Sequence, residues 1–150
     1  MTGMAIRLEV PDKPEWSQRQ LIVDRLDAYN DAQTYPEPDR ALCVLLHSDD
    51  AVVGGLWGRT YYRWLFIEQF FVPEELRGRG VGSELLTKAE QEALERGCHG
   101  VWLETFTFQA PGFYKRHGFE IFGVIDDYPP GHSRIFFRKR LDGRRRQSNG

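Results

Sequence analysis

Apolar and polar positions change period several times along this chain, and each change marks an element. Ile6 to Val10 predicts a first strand. From Pro14 to about Ala32, the residues Trp16, Leu21, Ile22, Leu26 and Tyr29 recur mostly at helical spacing, and Pro36 and Pro38 end that pattern. Ala41 to His47 reads as an apolar strand, Ser48 to Asp50 as a turn, and Ala51 to about Tyr61 as the returning strand of a hairpin. Trp64 to Val72 predicts a central strand. The clearest helix follows it. Val81, Leu85, Leu86, Ala89, Ala93 and Leu94 form one apolar stripe, and Glu84, Lys88, Glu92 and Arg96 alternate in sign at i,i+4 on the wet side. Gly97 suits the left-handed residue that closes a helix. Val101 to Thr105, Glu120 to Ile125 and Arg134 to Leu141 predict three more strands. A short helix opens at Pro111 and ends at Gly118, and Asp126 to Ser133 is a loop. Strands that bracket helices in this order predict an α/β (α+β) fold with a mixed sheet.

Composition narrows the classes. The chain has 150 residues, enough for one domain with a real core, and its 41% hydrophobic and 28% charged content is ordinary for a globular protein. A net charge of −2 argues against a general nucleic-acid binder. The basic residues Arg138 to Arg140 and Arg144 to Arg146 read as a final strand with a solvated tail, and residues 144–150 as a short basic and polar C-terminal tail after a single domain over 1–143. No long apolar run and no secretory leader pattern stand out, so the expected location is cytoplasmic with no membrane partner. Cys43 and Cys98 are isolated, and His47, His99 and His117 have no ligand spacing, so neither a disulfide framework nor a metal site is expected.

The chemistry begins at Arg77-Gly78-Arg79-Gly80-Val81-Gly82-Ser83, between the central strand and the clearest helix. A strand, glycine-rich turn and helix present unpaired N–H groups to a phosphate, and arginines add charge-assisted contacts. A Walker A loop needs G-x-x-x-x-G-K-[ST]; Gly78 and Gly82 are one residue too close and no Lys-Ser or Lys-Thr follows. A dinucleotide fingerprint needs a third glycine where Ser83 stands. The pattern that remains, [QR]-x-x-G-x-[GA], is met by Arg77, Gly80 and Gly82.

Ala110-Pro111-Gly112-Phe113-Tyr114-Lys115-Arg116-His117-Gly118-Phe119 follows downstream. Together with Val72-Pro73 and the glycine turn, it resembles the two signature motifs of the GNAT N-acetyltransferase superfamily, in particular small bacterial acetyltransferases of unassigned substrate. The resemblance covers nearly the whole chain. It implies a mostly antiparallel sheet of six to seven strands with a splayed central pair, acetyl-CoA as the acetyl donor, and direct transfer to an amine in a ternary complex. It leaves a homodimer open.

What the resemblance implies for residues follows motif by motif. The pyrophosphate of CoA would sit on Arg77, Gly78, Arg79, Gly80, Val81, Gly82 and Ser83. Pantetheine would pair as a surrogate strand with the backbone near Phe70, Phe71 and Val72. Tyr114 falls at the tyrosine whose hydroxyl faces the CoA sulfur; a phenol stays protonated at neutral pH and can donate to a thiolate. The family often has an asparagine where this chain has Thr107, so Thr107, with Gln109 nearby, is expected to make an altered CoA contact.

An alkyl amine has a pKa of about 10.4, and exposing its lone pair at pH 7 costs roughly 4 to 5 kcal/mol. A base, or a water leading to one, therefore helps. Glu68 is the first candidate: it is the only charge between Leu65 and Val72, where a carboxylate is costly unless it faces a cleft or is paired. Glu104, on the next strand, is the second, and a water shared by the two is also open. The acceptor is less legible. Tyr29, Tyr35, Trp57, Tyr61, Tyr62 and Trp64 are aromatic candidates that also read as core. Asp126 and Asp127 suit either a cation site or a solvated turn, and His132 reads as a loop residue. A small-molecule amine is the expected acceptor. The rival readings are a peptide or protein N-acetyltransferase and an acyl-CoA-binding sensor without turnover.

Overall fold

The computed structural model describes residues 3–143, so the expected tail at 144–150 lies outside the described residues. The described chain falls into two compact units, divided between Glu37 and Pro38. The first holds helix α1 (Trp16–Gln33), which opens with the Glu15 N–H donating to Gln18 Oε1 at 2.8 Å. The expected strand Ile6 to Val10 does not form: those residues take part in no ladder. A sequence can show that a segment suits a strand, but a strand exists only where a neighbour completes its hydrogen bonds.

The second unit holds β1 (Arg40–Ser48), β2 (Ala51–Tyr61), β3 (Trp64–Phe71), α2 (Val81–Glu95), β4 (Gly100–Phe106), α3 (Pro111–Arg116), β5 (Glu120–Asp126) and β6 (Ser133–Arg140). A short 3-10 turn, Glu74–Leu76, leads from β3 to the glycine segment. The strands make one six-stranded sheet in the order β1-β2-β3-β4-β6-β5. Every neighbouring pair is antiparallel except β3 and β4, which α2 joins as a crossover.

Strict alternation builds the core. Leu65 and Ile67 of β3, Val101, Leu103 and Thr105 of β4, and Ile135 and Phe137 of β6 are buried. α2 contributes Leu85, Leu86, Ala89 and Ala93. Ala89 and Ala93 are fully buried, and their small side chains let the helix axis lie close to the sheet. Each buried leucine on this stripe contributes roughly 1.5 to 3 kcal/mol. Leu94, expected on the stripe, is exposed instead. It stands in the last turn, where Gly97 (φ 81°) donates to the Leu94 carbonyl and Cys98 N–H donates to the Ala93 carbonyl, closing the helix. On the opposite face of β3 and β4, Phe66 and Trp102 stack with ring centroids 4.1 Å apart.

Two departures from regular pairing position the site. β3 pairs with β4 only from Trp64↔Gly100 to Ile67↔Leu103, although β4 continues against β6 to Phe106. Past Ile67 the parallel strands part, leaving the β3 backbone unpaired on that side. On its other side, Trp57 faces Gln69 while Gly58 faces Ile67, so Glu68 is the extra residue of a β-bulge. A bulge bends its strand and re-aims the side chains on it.

Candidate acyl-transfer cleft

A cleft of about 900 Å³ opens where β3 and β4 part. Its floor is Ile67 to Val72 on one side and Leu103 to Thr105 on the other. One end runs along Leu76 to Gly78 and Gly80 to Ser83, and α3, with His117 at its C-terminal end, closes a flank with Phe113, Tyr114 and Arg116.

The glycine turn is shaped by backbone conformation and by space. Gly80 caps α2 in the left-handed region (φ 79°, ψ 7°), which costs an L-residue roughly 1 to 2 kcal/mol. The first intrahelical bond runs from Glu84 N–H to the Gly80 carbonyl, so the N–H groups of the residues between them are left for another acceptor. At Gly82 the constraint is a neighbour: an added Cβ would stand 3.3 Å from the Phe113 ring. Arg77 folds back from the turn, its Nε donating to the Val72 carbonyl at 2.8 Å and its guanidinium 5.9 Å from the Phe71 ring. That bond occupies one of the main-chain groups at the end of β3 and fixes the turn against the strand.

Tyr114 is packed edge-on against Phe70, Phe113 and Phe119, with ring centroids 5.2 to 6.3 Å away. Burial pushes its phenol up to about 12, because the phenolate would lose its hydration in this aromatic surround. The hydroxyl is therefore a proton donor throughout the physiological range. The two carboxylates of the cleft are both beside arginines. Glu68 Oε1 lies 3.5 Å from Arg59 Nε, and Arg59 also meets Asp39 at 2.5 Å. Glu104 is held more closely by Arg134, whose guanidinium also lies over the rings of Phe106 (5.2 Å) and Tyr128 (4.8 Å). Glu68 is the less committed of the two.

The cleft thus brings together Glu68, Phe70, Phe71, Val72, Arg77, Gly78, Gly80 to Ser83, Glu104, Gln109 and Tyr114. Arg79 is exposed and does not line it. Thr107 does not line it either: its Oγ1 accepts from the Ser133 N–H at 3.1 Å, tying the end of β4 to the start of β6. Gln109 is at the wall, but its Oε1 accepts from Thr105 Oγ1 (2.7 Å) and the Phe106 N–H (2.8 Å), which holds the turn leading to α3. Trp57, Tyr61, Tyr62 and Trp64 are not on the cleft wall, and Tyr29 and Tyr35 belong to the other unit. Asp126 accepts from Ser133 Oγ at 3.1 Å, which closes the β5–β6 loop on itself. Sequence reasoning passed over Phe108, at the cleft rim, and His117, considered only as a metal ligand. Its place three residues after Tyr114, at the C-terminal end of the same short helix, was the available signal.

These features suit an acyl-CoA. The unpaired β3 edge can take the amides of pantetheine, the open N–H groups of the turn can take a diphosphate, and the half-buried phenol can face a sulfur. The comparisons agree. The sequence is 37% identical over 131 residues to an acetyltransferase of Agrobacterium fabrum, covering 87% of this chain and 96% of that one. It is 46% identical over 81 residues to a blasticidin-S acetyltransferase of Streptomyces morookaense, covering 53% of this chain and 60% of that one. A crystal structure of an acetyltransferase from Bacillus cereus superposes with a TM-score of 0.80 at 33% identity, over 88% of this chain and 97% of that one. Residues 6–119 match the Acetyltransferase (GNAT) family. The chain therefore belongs to the GNAT acetyltransferases, acyltransferases that take the acetyl group from acetyl-CoA.

Proposed function

We propose that this enzyme acetylates the primary amine of a small molecule, the amine attacking acetyl-CoA directly in a ternary complex. The observation that carries the reading is the parting of β3 and β4 past Ile67 and Leu103, which opens a cleft with the glycine turn at one end and Glu68, Glu104 and Tyr114 along it. The relative from S. morookaense, named for a small molecule, supports the acceptor class.

The residues divide the work. The turn from Arg77 to Ser83 binds the diphosphate, and the free edge of β3 at Phe70 and Phe71 aligns the pantetheine arm. As the amine nitrogen forms its bond to the acetyl carbon, its surplus proton leaves toward Glu68, directly or through a water. Glu68 suits this task because it sits on the bulge with only a 3.5 Å approach from Arg59. The carbon–sulfur bond breaks, and the departing thiolate takes a proton from Tyr114, whose phenolate is reprotonated from solvent as Glu68 releases the proton it took from the amine. Glu104, bound by Arg134, fixes the acceptor end and holds the second base position.

The test is thiol release from acetyl-CoA against a panel of aminonucleosides, polyamines, amino acids and basic peptides. Turnover confined to small amines is the expected result. Faster turnover of peptides would replace the acceptor class, and tight acetyl-CoA binding with no turnover on any amine would make the protein a sensor.

A further inference from the structure

Ser83 and His117 face each other across the cleft wall. Ser83 Oγ lies 2.7 Å from His117 Nε2, and His117 Nδ1 lies 2.7 Å from the Phe113 carbonyl oxygen. The carbonyl can only accept, so Nδ1 carries a hydrogen. In a neutral imidazole Nε2 is then an acceptor, and the Ser83 hydroxyl must donate to it. The hydroxyl then turns only lone pairs toward anything else. Yet Ser83 stands in the first turn of α2, where a diphosphate offers nothing but acceptors. The neutral pair and the anion are mismatched by one proton.

We infer that Ser83 and His117 form a proton-coupled part of the diphosphate subsite, in which acetyl-CoA binding draws one proton onto His117 and frees the Ser83 hydroxyl to donate to the phosphate. The proton comes from solvent and adds to Nε2. That nitrogen then donates to Ser83 Oγ, the serine hydrogen swings to a phosphate oxygen, and no covalent bond forms or breaks. Negative charge nearby favours the imidazolium, and the ring is already oriented by the Phe113 carbonyl and by the Phe113 ring 4.3 Å away.

The other charged groups around His117 do not offer the same exchange. Arg77 and Arg116 border the cleft, but a guanidinium does not titrate there. Glu68 and Glu104 line it farther on, each beside its arginine. Lys139, beside Gly118, is paired with Glu90 of α2 at 2.9 Å, and Lys115 and Glu84 are exposed. Tyr114 remains protonated.

The inference rests on the reading that the diphosphate lies on the turn. Calorimetric titration of acetyl-CoA at pH 7, in buffers of different ionisation enthalpy, counts the protons taken up. Acetyl-dephospho-CoA serves as a second ligand, since it lacks the 3′-phosphate that itself titrates. The wild-type protein should take up a substantial fraction of one proton with both ligands, and affinity should fall as pH rises, by up to about tenfold per unit. His117→Gln and Ser83→Ala should each abolish the uptake and flatten the pH dependence while weakening binding only several-fold. Binding without proton uptake, or uptake that survives both substitutions, overturns the coupling alone. Binding that survives Gly82→Leu would move the diphosphate off the turn, and the site reading and the coupling would fall together.

Discussion

At the glycine turn the groups that face the cleft are mostly main chain, held by helix geometry. At the β5–β6 end they are side chains, held by one another. Around the turn, Gly80 sets a left-handed cap, Gly82 makes room for Phe113, and the donors are N–H groups whose positions follow from the helix. At the other end, Arg134 holds Glu104 and lies over Phe106 and Tyr128, while Phe108 stacks on Phe106 with centroids 5.0 Å apart. The first arrangement needs particular residues at fixed spacings, because only glycine permits that backbone. The second can be met by many combinations of aromatic and charged residues. A cofactor shared by a whole family suits the first, and an acceptor peculiar to one enzyme suits the second.

The harshest test of the donor half is Gly82→Leu. Its Cβ would stand 3.3 Å from the Phe113 ring, and its longer atoms would take up the space that the proposed function gives to the diphosphate. The dissociation constant for acetyl-CoA should rise by about 100-fold or more, close to 2.7 kcal/mol at 1.36 kcal/mol per decade. Calorimetry measures it, with circular dichroism to show that the fold survives. Unchanged affinity would mean that the turn is only structural.

The same contrast explains how much was legible in the sequence. Every strand and α-helix from Arg40 onward could be placed because period and capping glycines are local properties, and the motif spacing brought Arg77, Gly78, Gly80 to Ser83 and Tyr114, though not Arg79, to one cleft. Three features were not. The missing ladder at Ile6 to Val10 depends on a neighbour the segment itself does not encode. Thr107 bonding to Ser133 and Gln109 bonding to Thr105 are choices among polar partners that the chain path decides. The bulge at Glu68 is visible only in the register of β2 against β3.

Tyr114→Phe comes next in size and separates chemistry from binding within the donor half. Loss of the proton donor should lower kcat by about 100-fold while the acetyl-CoA dissociation constant changes by less than about twofold. Steady-state kinetics beside calorimetry reads both. The raised phenol has a further consequence for pH. Tyr114 keeps its proton until pH approaches 12, so the wild-type rate should show no alkaline fall from this group below about pH 10. A wild-type alkaline fall that disappears in Tyr114→Phe would contradict this.

Glu68→Gln probes the junction of the two halves. At pH 7 it should lower kcat/KM by roughly 10-fold to 30-fold. The loss should shrink as pH rises toward the amine's own pKa, since a deprotonated amine needs no base. A pH profile parallel to wild type would move the base to Glu104 or to a water held elsewhere.

The smallest effect, and the one that bears most directly on the acceptor half, is expected from Arg134→Lys. Lysine keeps a positive charge beside Glu104 but not the planar face that lies over Phe106 and Tyr128. If this end recognises the acceptor, KM for the amine should rise by about threefold to fivefold, with kcat nearly constant and acetyl-CoA affinity unchanged. An equal change in both ligands would mean that Arg134 only braces β6 and β4. The division between a main-chain donor end and a side-chain acceptor end would then be drawn in the wrong place, because a residue that supports both belongs to the scaffold.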